Sequence, residues 1–152
     1  MNPHQIIKTI FFDIGGVLVK VDSSDSIQKL SRKLGVSTEK IRQGMTRELL
    51  NDYEKGYLTS NQFYEQLLIN YDSKHTMDME TFKGFWLDVL FPCTESMAFL
   101  ERVTKDFPVW LLSNTNDFHY DLLMQDFPFM KCVEGGTYSF MVGSMKPEPL
   151  IY

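Results

Sequence analysis

The chain has 152 residues, 43% of them hydrophobic, and a formal net charge of -5: enough for one core, or a small core with an insertion. The acidic balance, with no block of Lys or Arg, argues against nucleic acid, and no apolar run is long enough to span a bilayer. Cys93 and Cys132 have neither metal-ligand spacing nor a disulfide framework, and the run Ile6–Val19 is broken by Lys8, Asp13, Gly15 and Gly16, so we expect no secretory segment and a reducing cytoplasm.

Residues 6–12 (Ile-Ile-Lys-Thr-Ile-Phe-Phe) are β-branched and aromatic, as expected of a strand buried on both faces. Asp13 ends that run and Ile14-Gly15-Gly16-Val17-Leu18 follows, which places a carboxylate at a strand end beside small residues that admit close backbone approach to an anion. From about Ser24 to Phe91 the pattern turns helical. Ser37-Thr38 opens a stretch with Ile41, Met45 and Leu49. Thr59-Ser60-Asn61-Gln62 is a capping box ahead of Phe63, Leu67 and Leu68, and Asp78 precedes a stripe of Phe82, Phe85, Trp86, Val89 and Leu90. We read four helices here, punctuated by Gly35, Gly56 and residues 72–75.

Thr94 starts a further helix that ends before Pro108, and Val109-Trp110-Leu111-Leu112 reads as a second buried strand. Residues 117–127 read as a helix, 131–139 as a weak strand interrupted by Gly135-Gly136, and 147–152 as the start of a helix. This order predicts an α/β fold: a doubly wound parallel Rossmann-like sheet with a helical cap inserted after the first strand. The expected division is a core of 1–20 and 92–152 and a cap of 21–91.

A parallel sheet of this kind brings Asp13, Ser113 with Asn114, and Lys146 to one edge, because each follows a strand or a short loop after one. Singly, each is a common turn, cap or loop residue. Jointly they supply a nucleophile for a phosphoryl group or an alkyl halide, donors to a phosphoryl oxygen, and a cation for the charge that builds there. His119, in a first helical turn, is read as a surface or capping residue. Phe85 and Trp86 are assigned to the cap core, Trp110 is expected to be buried, Asp22 and Asp25 are given to a solvated turn and a helix cap, and His4 and His75 have no assigned role.

Phe12-Asp13-Ile14-Gly15-Gly16-Val17-Leu18-Val19, Leu111-Leu112-Ser113-Asn114-Thr115-Asn116 and Gly143-Ser144-Met145-Lys146-Pro147-Glu148 resemble the first three motifs of the haloacid dehalogenase (HAD) superfamily. Glu54-Lys55-Gly56 with Thr59 and Phe63 is similar to the cap of the branch that holds sugar-1-phosphate phosphatases and the epoxide-hydrolase phosphatase domain. The resemblance implies that Asp13 attacks phosphorus to form an aspartyl-phosphate while Ser113, Asn114 and Lys146 hold the phosphoryl oxygens. It also implies Mg²⁺ on Asp13 and the carbonyl of Gly15, and a small phosphorylated metabolite, such as a sugar phosphate, as substrate.

Two departures from the family pattern stand out. Gly15 occupies the position where most phosphatases of the family carry a second aspartate, the general acid and base, so protonation of the leaving group must come from elsewhere. The family's fourth motif, a pair of acidic residues, is absent. Completing the core would take roughly 40 to 60 more residues, about two strand-helix units. The expectation is therefore a core missing its C-terminal part, weakly active or inactive, with an exposed first strand and a possible homodimer. The alternatives are a 2-haloacid dehalogenase, which needs no metal, and a non-catalytic relative that binds a ligand or partner.

Overall fold

The computed structural model describes residues 7–152; His4 and the expected start of the first strand at Ile6 lie outside them. Strand β1 (Ile10–Phe12) leads through a tight turn into β2 (Val19–Val21). Five helices follow: α1 (Ser24–Leu34), α2 (Thr38–Gly44), α3 (Arg47–Glu54), α4 (Ser60–Tyr71) and α5 (Met79–Leu87). The chain then runs through β3 (Leu90–Pro92), α6 (Thr94–Val103), β4 (Val109–Ser113), α7 (Asp117–Asp126), β5 (Gly135–Tyr138) and the single turn α8 (Ser139–Val142). A 3₁₀ turn covers Pro128–Lys131 and another covers Pro149–Ile151, the latter where a helix start is expected.

The main sheet has the order β1-β4-β5 and is parallel throughout. Its β1–β4 register pairs Phe12 with Leu111, so Asp13 emerges beside Leu112 and one step from Ser113. Among the described residues β1 pairs on one side only, and Phe11 is 60% exposed, which corrects the expectation of burial on both faces. β2 and β3 form a separate antiparallel pair that closes the helical insertion at its two ends.

Two apolar clusters result. One gathers Ile14, Leu18, Leu100, Val109, Leu111, Leu123 and Phe129 around the main sheet. The other packs Leu30, Ile41, Tyr53, Phe63, Leu67, Tyr71 and Phe82 among helices α1 to α5. The capping signals place the helix starts: Ser37, Thr59 and Asp78 each accept from the backbone N–H three residues on, and Thr59 with Gln62 makes a capping box.

The stretch read as one helix after Ser37 is two. It breaks at Met45, because Thr46 caps a new helix through the amide of Leu49. Gly44 meanwhile lies so close to the Tyr71 ring that an added Cβ would stand 2.6 Å from it. Gly135 and Gly136 do not interrupt β5 but belong to it, since the rings of Trp110 and Tyr138 occupy the space their side chains would take. Trp110 is half-buried in that position, its indole N–H donating to Thr137 Oγ1 at 3.1 Å. Asp22 accepts from the amide of Ser24 and pairs with Lys20 at 3.3 Å, a solvated turn as expected.

Candidate active site

The turn after β1 is wound tightly on Ile14, whose carbonyl accepts from the amides of Val17, Leu18 and Val19, while Gly16 N donates to Val19 O at 2.7 Å. Gly16 has φ of +77°, a conformation open to glycine at no steric cost. Ile14 and Leu18 are buried in the core and hold the turn down, which leaves Asp13 at its mouth. One carboxylate oxygen of Asp13 accepts from the amide of Ile14 at 2.8 Å. The other lies 2.8 Å from Lys146 Nζ, and the same ammonium donates to the carbonyl of Leu112 at 3.0 Å.

Lys146 is held from behind. Asn114 Oδ1 accepts from the backbone N–H of Lys146 at 2.7 Å, and Asn114 Nδ2 donates to the carbonyl of Lys146 at 3.2 Å. This two-way clamp ties the loop after α8 to the end of β4. The Asn114 side chain is thus turned to the lysine backbone in this structure. Ser113, fully buried at the end of β4, makes one long contact of 3.3 Å to the carbonyl of Asn114. Asp13, Ser113, Asn114 and Lys146 therefore meet at one edge of the sheet.

Asn116 caps α7 through the amide of His119 and takes a long 3.4 Å bond from the indole N–H of Trp86. His119 stacks on Trp86, ring centroids 5.5 Å apart and 7° from parallel. Its Nε2 donates to the carbonyl of Trp86 at 3.0 Å, and its Nδ1 accepts from Asn116 Nδ2 at 3.1 Å. Burial pushes its pKa down, in keeping with a neutral ring. The expected surface position of His119 is corrected: it joins α7 to the end of α5, and both its nitrogens are engaged.

Comparison with known proteins bears on this geometry. No family model matches the chain. D-ribitol-5-phosphate phosphatase of Bacteroides thetaiotaomicron is 27% identical over 157 positions, covering 97% of this chain and 74% of that protein. A HAD family enzyme of the same organism, solved in complex with magnesium and inorganic phosphate, matches with a TM-score of 0.82 at 24% identity, over 95% of this chain and 75% of that one. A HAD-like family hydrolase of Porphyromonas gingivalis matches with a TM-score of 0.77 at 24% identity, over 95% and 72%. The chain thus shares the fold of these solved HAD family enzymes.

The segment after α3 docks directly on the site loops. Lys55 pairs with Glu148, whose other oxygen accepts from Ser144 Oγ and Met145 N at 3.0 and 3.1 Å. Tyr57 donates to the carbonyl of Gly143 at 3.0 Å. Gly56, with φ of +69°, passes so close to Phe140 that an added Cβ would stand 2.2 Å from its carbonyl oxygen. The sequence signal for this contact is Glu54-Lys55-Gly56 itself, but nothing in the sequence says what its side chains touch. Between α3, the turn after β1 and the end of β4 lies a cavity of about 120 Å³, bordered by Gly15, Glu54, Ser113, Asn114 and His119. A second of about 220 Å³ continues under α1 and α5, with Glu54 and His119 on its wall as well. A further hollow of about 550 Å³ lies between α3 and α4, and none of its lining residues belongs to the site.

Among the described residues no three His, Cys, Asp or Glu side chains converge as a metal cluster. The Asp13 carboxylate and the carbonyl of Gly15, in an exposed turn, are a sparse, open, all-oxygen set. Such a set fits Mg²⁺, which keeps several waters and binds through one or two carboxylates and substrate phosphate, and does not fit a metal that prefers sulfur or imidazole.

Proposed function

We propose that the chain is a Mg²⁺-dependent phosphoric monoester hydrolase that acts on a small phosphorylated metabolite, a sugar or polyol phosphate, through an aspartyl-phosphate at Asp13. The observation that carries this reading is the 2.8 Å approach of Lys146 Nζ to the free oxygen of Asp13. It sets a carboxylate nucleophile beside the cation that a transferring phosphoryl group requires. The D-ribitol-5-phosphate phosphatase relative points to the substrate class, and the neighbour solved with magnesium and phosphate points to the ion.

In this mechanism Asp13 and the carbonyl of Gly15 would hold Mg²⁺, whose charge would offset repulsion between the carboxylate and the incoming phosphoryl group. The Ser113 hydroxyl and Lys146 ammonium bind the phosphoryl oxygens. Asn114 positions Lys146 through its backbone clamp and meets the phosphoryl group once that clamp yields. Asp13 then attacks phosphorus and the alcohol leaves; water releases phosphate from the aspartyl-phosphate and restores Asp13. Residues 21–91 act as a cap over a core of 1–20 and 92–152, a division supported by the two apolar clusters. The free cysteines Cys93 and Cys132 suit a cytoplasmic protein, and the exposed edge of β1 supports a homodimer.

Phosphate release from a panel of sugar and polyol phosphates, with Mg²⁺ and after its removal by chelator, tests the reading. The expected result is metal-dependent release that Asp13→Asn lowers by about 10³-fold or more, with the variant still folded. Folded wild-type protein that releases phosphate from none of the panel, or an Asp13→Asn variant that keeps its rate, would overturn it. Halide release from 2-haloacids would move the assignment to a dehalogenase.

A further inference from the structure

Gly15 brings no side chain to the turn after the nucleophile, yet an alkoxide leaving group needs a proton and the attacking water must lose one. Gly15, Ser113 and Asn114 share their cavity with two titratable side chains, Glu54 and His119. His119 has both ring nitrogens engaged, with the Trp86 carbonyl and Asn116. Glu54 is different. It closes the C-terminal turn of α3, is half-buried on the cavity wall, and among the described residues its carboxyl has no hydrogen-bond or ion-pair partner.

The residue is held there by its neighbours. Tyr53 before it donates to Asp117 at 2.6 Å, Lys55 after it pairs with Glu148, and Gly56 is pressed against the Phe140 carbonyl. Three successive anchors fix the backbone on either side of an unanchored carboxyl. An idle, half-buried carboxyl is costly, and a cavity wall between the sheet edge and the helical insertion is where a leaving group would sit.

We propose that Glu54 is the general acid and base of the reaction, supplied from the helical insertion in place of a side chain at Gly15. As Asp13 oxygen bonds to phosphorus, the bond from phosphorus to the leaving oxygen breaks, and that oxygen takes the proton of the Glu54 carboxyl. The resulting carboxylate then takes a proton from water as the water oxygen attacks the aspartyl-phosphate, which returns Asp13 and frees inorganic phosphate. Desolvation raises the pKa of Glu54, which suits a group that must hold a proton before it gives one. The space over Gly15 is open, with only a Val21 methyl 3.8 Å from where a Cβ would stand, so Glu54 reaches the cavity without crowding the turn.

This inference rests on the phosphatase reading, and leaving-group dependence separates the two. Glu54→Gln keeps size and shape but has no proton to give. With polyol or sugar phosphates, whose alcohols leave poorly, the variant should lose about 10²- to 10⁴-fold in kcat. With p-nitrophenyl phosphate, whose phenolate needs no proton, it should release a burst of phenolate no larger than the amount of enzyme and then turn over slowly as the aspartyl-phosphate accumulates. Gly15→Asp in the Glu54→Gln background should restore part of the alkyl-phosphate rate, because the open space accepts the side chain. Equal loss on both substrate types without a burst, or no loss on either, overturns the role of Glu54 while leaving the phosphatase reading in place. Wild-type protein that hydrolyses neither substrate overturns both.

Discussion

Tyr71 shows how a single polar atom can be left over by good packing. Its ring is fully buried among α2 and α4 and fills the space beside Gly44, yet among the described residues its hydroxyl has no partner. Burial accordingly pushes its pKa well above the ordinary tyrosine value. An orphaned buried hydroxyl costs about 1–3 kcal/mol, so Tyr71→Phe should keep or raise the urea midpoint, and a clear fall would mean that the hydroxyl is bonded. His119 makes the opposite statement about pH. Its folded pKa lies below its ordinary 6.5 because burial disfavours the cation. The unfolded chain therefore binds a proton first as pH falls: the stabilisation is whole above about pH 6.5 and is lost as pH drops toward the folded value. Urea midpoints measured down that range should fall more steeply for wild type than for His119→Asn, and parallel curves would show that the ring is not buried neutral. Glu54 has the reverse sign, since burial raises its pKa. Its neutral form is favoured by folding, and that stabilisation is lost as pH rises through the folded value. Glu54→Gln should consequently melt higher than wild type at neutral pH while it loses activity, a stability gained where function is given up.

Among the elements, α3 and the turn after it carry most of the link between the helical insertion and the site. Gly56 is the tightest point. A side chain there meets both a left-handed φ of +69° and the Phe140 carbonyl 2.2 Å away, so Gly56→Ala should displace the segment that holds Glu54 and Lys55. The expected result is a destabilisation of more than about 1 kcal/mol, with alkyl-phosphate turnover lost beyond what the change in folded fraction explains; a variant matching wild type in both would show that the segment is loosely docked. How much of such an element the sequence discloses depends on whether its cause is local. Helix starts were legible because Ser37, Thr59 and Asp78 satisfy their own helices within three residues. The break at Met45 was partly hidden, because it depends on Gly44 meeting Tyr71 from another helix. Gly135-Gly136 was misread for the same reason: the rings that make glycine necessary in β5 come from β4 and from the strand's own far end. β2 and β3 were missed because three-residue strands, paired across the whole insertion, show no periodicity of their own.

At the scale of the molecule, the residues that meet at the sheet edge were legible because a parallel sheet sends strand ends to one side, whatever the helices do. The links between the two apolar clusters were not, since each depends on side chains far apart in sequence. Three such links stand out: the stack of Trp86 on His119, the pair of Lys55 with Glu148, and Asp117, which accepts from the hydroxyls of both Tyr53 and Ser60. The last is the most buried. Tyr53 belongs to the helical cluster and Ser60 opens α4, and both are buried, whereas Asp117 opens α7 on the sheet side. The two hydroxyls lie 3.0 Å apart and bond each other, so Asp117→Ala would leave one buried donor without an acceptor, a cost of about 1–3 kcal/mol, and the cost falls on the joint more than on either cluster. The two tryptophans report the two sides, since Trp86 packs in the helical cluster and Trp110 lies in β4. In single-tryptophan variants made with Trp110→Phe or Trp86→Phe, urea unfolding should give coincident transitions while the joint is intact, as one cooperative unit requires. Adding Asp117→Ala should move the Trp86 transition to lower urea and pull it away from that of Trp110. If both transitions instead shift together, the clusters remain coupled through Lys55–Glu148, the link that both single-tryptophan variants keep, and Asp117 contributes to stability without being the joint.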